Sequence, residues 1–389
     1  YPSMPDAGPI VNYAEARLLR TIYDTLRDAD YAAYNLDDQR IYVYGHSMGG
    51  SGALALAMRY PNVFAASFSS EPMTNYRTSG GGEADVDWTE ECQAKWGSIA
   101  ANFPISNVGR YAGHLAPYNG TGVWDWQNHQ ANLVSRGGDE MAHISLAHGS
   151  RDHVIEWSTQ GQPAYGAFYD GHRAFSGVTV DMDHTWTSFV GLGPTVGDTG
   201  DGPFHGFSVV RDETIPGLSN ASGSSTVPPS GAGAAYNMNL EWSASWNDWD
   251  GAPVDTASEW RISLRTTEGP DQTVDVTPRR VQTFALTPGG VYTWENRLVS
   301  DNSLVASGTV AANAAGLVTV PDFAVSSGGN RLRLQTSGAT AGYTFYTVVT
   351  PSNATLPITY TWSSDGLLSG QSTASAAYRW DTPGVYTIT

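Results

Sequence analysis

Ile41-Tyr-Val-Tyr-Gly-His-Ser-Met-Gly-Gly-Ser-Gly-Ala-Leu54 decides how the rest of the chain is read. Its first residues are apolar, aromatic and β-branched, as in a buried strand, and Gly45-His46-Ser47-Met48-Gly49 carries the G-x-S-x-G pattern of a nucleophile elbow. A helix-forming run from Ser51 to Tyr60 follows and stops before Pro61. The spacing has a chemical reason. A serine at a strand-to-helix turn has a strained backbone, and glycines two residues away on either side let neighbouring main chain approach, so the hydroxyl is presented to substrate. The helix that begins there points its positive end at the site, and the backbone N–H of Met48 can donate to a developing oxyanion. Gly- and Ser-rich loops produce the same five-residue pattern by chance. The flanking strand and helix are what set this instance apart.

Upstream, Asn12 and Glu15 stand at the spacing of a capping box, and Leu18, Leu19, Ile22 and Leu26 recur at helical intervals, predicting a helix with one buried face. Downstream, Val63 to Phe68 reads as a second strand. The order helix, strand, helix, strand belongs to a parallel α/β sheet. Residues 71–141 interrupt it with Gly, Trp and Asn, including Trp88, Trp96, Trp124 and Trp126. An excursion of this length between core strands is usually functional, and it is expected to cap the site; the competing expectation is a surface insertion whose tryptophans pack against the sheet. The sheet resumes at His143–Ala147, and Ser158 to Tyr169 reads as helical. Gly177–Val180 is the next strand, followed by Asp181-Met-Asp183-His184.

A serine hydroxyl needs a base to take its proton, and the base needs an acid to hold its tautomer. Where a G-x-S-x-G elbow stands in a parallel α/β sheet, the resemblance to such folds implies that these groups come from loops at the carboxyl ends of successive strands, in the order Ser, acid, His. Ser47, Asp152 and His184 fit. Glu71, after the second strand, is an alternative acid, while Asp183 is expected to point away from its neighbour His184. His153, His172 and His205 do not directly follow a predicted strand. His143, His148, Asp152 and His153 resemble a metal set, but residues 143 and 148 lie at odd spacing on one strand and face opposite sides, so no metal is expected. The proposed chemistry calls for no nucleotide, metal or redox cofactor.

From about residue 209 the composition changes. Residues 209–236 read as a Pro/Gly/Ser/Ala linker; short alternating strands then dominate residues 237–335, at Asn239–Trp242, Trp260–Leu264, Val281–Leu286, Val291–Trp294, Val318–Val320 and Arg331–Leu334, as in an all-β sandwich. After a break of small residues, 336–389 forms another β segment.

The chain of 389 residues has room for two or three domains. It carries 38 acidic against 20 basic residues, a net charge of -18, and Lys95 is its one lysine. With no basic run, nucleic acid and anionic lipid are excluded as expected partners. No apolar run reaches the length of about 18 residues that signals a membrane span. A single cysteine, Cys92, forms no intrachain disulfide and no multi-cysteine metal site.

Gly-His-Ser-Met-Gly, His-Gly-Ser-Arg-Asp152 and Asp-His184 together resemble the α/β-hydrolase superfamily, especially its secreted esterase and prolyl-oligopeptidase-like branches, over residues 1–208. The resemblance implies attack by Ser47 on an ester or amide carbonyl, an acyl-enzyme, and hydrolysis by water, with His184 as base then acid and Asp152 as its orienter. A serine peptidase is the nearest rival to an esterase. Residues 237–335 resemble an immunoglobulin or fibronectin-III-type sandwich. The segments Ala354–Trp362 and Trp380–Thr389 resemble a PKD-type module of extracellular proteins, which implies secretion or surface display and a possible polysaccharide contact, although a plain spacer is preferred. In the superfamily several strands precede the elbow, and a loop among them supplies a second oxyanion donor. Only 46 residues precede Ser47 here, so the early strands are expected to be missing and the second donor is unknown. Loss of one such donor typically costs about 2.7–4 kcal/mol of transition-state stabilisation. The chain is therefore expected to be the middle of a longer protein. A noncatalytic surface protein with a degenerate hydrolase domain is the alternative from another class.

Overall fold

A computed structural model describes residues 4–78, 87–106, 119–184, 208–224, 234–237 and 239–336, together with the backbone of three short strands beyond them. The first half contains β1 (Ile10–Val11), α1 (Tyr13–Arg27), β2 (Tyr42–His46), α2 (Met48–Arg59), β3 (Ala66–Ser70), α3 (Trp88–Trp96), β4 (Ile105–Ser106), α4 (Val123–Trp126), α5 (His129–Ser135), β5 (His143–Gly149), α6 (Gln162–Asp170) and β6 (Phe175–Val180). β2, β3, β5 and β6 run parallel in that spatial order, so their carboxyl ends share one edge of the sheet. Asn12 caps α1 as expected, but Leu19 is the buried leucine of that helix and Leu18 faces out. The strand expected at Val63–Phe68 starts later. The N–H groups of Val63 and Phe64 both bond to the Tyr60 carbonyl, closing the end of α2 and delaying extension to Ala66.

The second half contributes β7 (Ile215–Ser219), β8 (Ala234–Tyr236), β9 (Leu240–Trp242), β10 (Val254–Asp255), β11 (Glu259–Thr266), β12 (Gln272–Arg279), β13 (Val291–Leu298), β14 (Leu304–Ala311), β15 (Val320–Val325) and β16 (Asn330–Thr336). One antiparallel sheet runs β10-β11-β16-β13-β14 with β9 beside β11, and a second runs β15-β12-β7; side chains of both share one apolar core. Beyond it, β17 (Tyr343–Tyr346), β18 (Leu367–Ser369) and β19 (Ser375–Tyr378) form a three-stranded antiparallel sheet, while Ala354–Trp362 and Trp380–Thr389 lie outside the described residues.

Two expectations need correction. The stretch 209–236, read as a linker, contains two strands: β7 joins the β half beside β12, and β8 pairs antiparallel with β6 of the parallel sheet. Proline and glycine within β7 disguised it, yet Ile215 and Leu218 are buried. Val281–Leu286 is irregular, because the Asp255 carboxylate accepts the N–H groups of Gln282, Thr283 and Phe284 and leaves none for a ladder. Within 71–141, Trp124 and Trp126 are buried in the main core with Leu133 and Ile144, while residues 79–86 and 107–118 of the expected cap lie outside the described residues.

The two halves are pinned by buried arginines at the end of β12. Arg279 donates to the carbonyls of Gly137 (2.9 Å) and Asp139 (2.6 Å), and Arg280 to those of Ala65 (3.0 Å) and Val210 (3.2 Å). Burial lowers Arg280 to about 10, which still leaves it charged at neutral pH. In the first half, Arg59 is buried over the Trp126 ring and paired with Glu15, which also accepts from the Tyr60 hydroxyl at 2.5 Å. Truncating one partner of such a pair strands the other charge. Glu15→Ala is therefore expected to lower unfolding stability by about 3–5 kcal/mol, measured by urea denaturation; a change near zero would show that Arg59 is solvated.

No described helix is long and apolar enough to cross a membrane. Cys92 is buried, and burial pushes its thiol up to about 11, as suits a packing residue.

Candidate active site

Ser47 follows the last residue of β2 and precedes α2, with φ 56° and ψ −117°. This is a strained conformation for a residue with a Cβ, of the kind that persists only where the surroundings enforce it. They do so through close approach. A Cβ on Gly45 would lie 2.2 Å from the Gly49 carbonyl carbon, and one on Gly50 would lie 2.2 Å from the Ser70 oxygen. The position of Gly49 itself has open space, so Gly50, rather than the second glycine of the motif, carries the tighter constraint. The Ser47 N–H bonds to the Ser70 carbonyl at 2.9 Å, and Ser51 Oγ donates to the Ser47 carbonyl at 2.9 Å while accepting from the Met73 N–H at 2.8 Å. Met48 opens α2 with its side chain exposed, and the first N–H groups of a helix have no intrahelical acceptor.

Asp152 lies just beyond β5 and is buried. Its Oδ1 accepts from the N–H groups of Val154 and Ile155, both at 2.8 Å, which fixes the carboxylate and aims Oδ2 elsewhere. That second oxygen is 2.8 Å from His184 Nδ1. The loops carrying the two residues cross closely: Arg151 N–H bonds to the Met182 carbonyl at 3.0 Å, and a Cβ on Gly149 would lie 2.5 Å from that same oxygen. His184 comes beyond β6 and reaches the elbow through His46, whose ring is 4.8 Å away between centroids. With Nδ1 engaged by carboxylate, Nε2 is the nitrogen left for a hydroxyl.

Glu71 sits one residue beyond β3, fully buried, with φ 48° and its N–H bonded to the Ala147 carbonyl at 2.7 Å. Its Oε2 lies 2.9 Å from His184 Nδ1. The structure thus brings both candidate acids to one nitrogen, which the choice between them did not foresee. The visible signal was positional: Glu71, like Ser47, directly follows a strand of the same sheet. Desolvation pulls the His184 imidazole down, but hydrogen bonds and charge from Asp152 and Glu71 outweigh it and raise the group to about 10. His46 is shifted the other way, by desolvation and then by the neighbouring His184 charge.

The other histidines fall elsewhere. Asp183 turns to His153 Nδ1 at 2.5 Å. His172 faces Ser219 of β7, and His205 lies outside the described residues. His143 packs on Trp242, whereas His148 packs on Trp157 and Tyr165 and is lowered to about 4 by burial. The described residues that could converge on a cation are His46, Glu71 and His184, with ligand atoms within 4.8 Å of one another. A cation there would occupy the imidazole that the serine chemistry needs as a base.

Residues 12–179 match the model of the family described as "Putative esterase". No curated protein sequence matches the chain. Among solved structures, the chain is similar to the acylaminoacyl peptidase of Pyrococcus horikoshii, at 16% identity and a TM-score of 0.30, over 44% of this chain and 24% of that one. It is also similar to dipeptidyl peptidase 4 of Porphyromonas gingivalis, at 15% identity and a TM-score of 0.27, over 40% of this chain and 18% of that one. The match to an S-formylglutathione hydrolase from Agrobacterium tumefaciens has 16% identity and a TM-score of 0.26, over 43% of this chain and 53% of that one. The chain thus spans less than a quarter of the length of the two peptidases. The esterase-family match covers the strands and loops that carry Ser47, Glu71 and Asp152, and residues 12–179 are accordingly hydrolase-like in sequence and in their parallel sheet.

Proposed function

We propose that the chain is a serine hydrolase of carboxylic esters. The observation that carries this is the convergence of a backbone-anchored Asp152 on His184 Nδ1 beside the strained Ser47 elbow. Ser47 Oγ attacks the ester carbonyl while His184 Nε2 takes its proton; the C–O bond to the alcohol then breaks and the imidazolium returns the proton to the leaving oxygen. Water, deprotonated by the same nitrogen, releases the acid from the acyl-enzyme. Asp152 holds the tautomer, and Glu71 adds a second negative charge to the imidazolium. The Met48 N–H, at the positive end of α2, is one donor to the tetrahedral oxyanion.

The test is hydrolysis of p-nitrophenyl acetate and butyrate set against peptide p-nitroanilides, each with a His184→Ala control. Ester turnover that the control abolishes is expected. Turnover of anilides at comparable kcat/KM would instead favour a peptidase, and silence on both classes with an intact fold would favour a binding protein.

A further inference from the structure

Far from Ser47 in the chain, the outer face of the β11–β16–β13 sheet holds a cleft of about 360 Å³ lined by Glu259, Arg261, Arg297, Asn302, Arg331 and Arg333. Four arginines in one cleft are a marked concentration in a chain with 20 basic residues and a net charge of -18. Strand register sets them against one another: Arg261 is opposite Arg333, and Arg331 is opposite Arg297. Like charges directly opposite are destabilising, so sheet stability alone does not account for these pairings. Flanking acids hold the guanidinium groups in place. Arg331 forks onto Asp250 (2.7 and 3.1 Å), Arg333 onto Glu259 (2.7 and 2.8 Å) and Arg297 onto Glu295 (2.9 and 3.3 Å). Asn302 accepts from both Arg297 and Arg331. Three carboxylates therefore serve four guanidinium groups, and Arg261, 3.9 Å from its nearest carboxylate oxygen, is the least engaged. Guanidinium groups fixed before binding lose little freedom on binding.

We propose that this cleft binds oxyanions carried along a polysaccharide, namely uronate carboxylates or sulfate esters. Neighbouring strands are about 4.8 Å apart and alternate residues on a strand about 6.7 Å apart, so the arginine backbone positions recur at intervals close to one sugar residue. Glu259 and Asn302 supply acceptors for the hydroxyls between the charges. Nucleic acid fits poorly, because among the described residues no aromatic side chain lines the cleft to stack a base. The site is independent of the catalytic proposal.

Affinity electrophoresis of the full chain in native gels containing polygalacturonate, dextran sulfate, uncharged dextran or poly(dT) tests it. Arg261→Gln/Arg333→Gln is compared with Arg17→Gln/Arg20→Gln on α1, which removes the same charge. Wild type and the α1 variant are expected to be retarded by polygalacturonate, dextran sulfate or both, and not by dextran, while the cleft variant binds at least about tenfold more weakly. Retardation by one polyanion alone identifies carboxylate or sulfate. Arg297→Lys, which keeps the charge but loses the planar fork, should also weaken retardation and covers a cleft variant that does not fold. Undiminished retardation of the folded variants, binding to poly(dT) or dextran alone, or no retardation by any polymer would overturn the proposal.

Discussion

Ser47→Ala is expected to lower ester turnover by about 10⁶-fold while leaving the fold intact. The side chain of Ser47 makes no capping hydrogen bond to α2, and alanine meets the same positive φ that serine already tolerates. What survives is whatever binding and oxyanion stabilisation supply without a nucleophile. The measurement is p-nitrophenyl butyrate turnover together with labelling by a fluorophosphonate probe. Label on wild type and none on the variant is the expected pair; equal labelling of both would remove Ser47 from the mechanism.

The second large effect separates the two carboxylates. His184 acts as a base only when neutral, and its imidazolium is favoured up to about 10, so kcat/KM should climb with pH through the alkaline range. Glu71→Gln removes one of the charges that favour the imidazolium. An opposite charge at this range is worth about one to three pH units, so the variant's profile should move down by that much and its rate at neutral pH should rise. Asp152→Asn should behave differently. It also weakens the imidazolium, but it removes the anchored acceptor that sets the tautomer, so turnover should fall about 10⁴-fold across the whole profile. An unshifted profile in Glu71→Gln would show that Glu71 does not act on His184, and full activity in Asp152→Asn would make Glu71 the orienting acid. The same raised group bears on folding: its contribution is fully present below about 6.5 and is lost as pH rises towards 10.

The elbow was legible because its constraints are local. Gly45 and Ser47 act through backbone within a few residues, and β2 and α2 flank them in sequence. Asp152 and His184 were legible from their order relative to strands. Other features depend on contacts between distant segments. Glu71 reaches His184 past the intervening strand β5, so its place directly after a strand marked it as a candidate acid but not as a partner of His184 alongside Asp152. Asp255 silences the ladder of residues 281–286 from another turn of the chain, and β7 is extended because β12 lies beside it, against the composition of its own residues. The cleft arginines emerged only once register placed β11, β16 and β13 side by side.

The exchange of β7 and β8 makes the two halves a clasp. The strand that comes first in sequence sits in the β half beside β12, and the one that follows sits in the parallel sheet beside β6, whose end leads to His184. A protease cut between them would leave each fragment with one strand embedded in the other. Neither half can then be excised at this junction without tearing a strand from the half left behind, and a shortened catalytic version would have to be redesigned along β6 and could not be obtained by trimming.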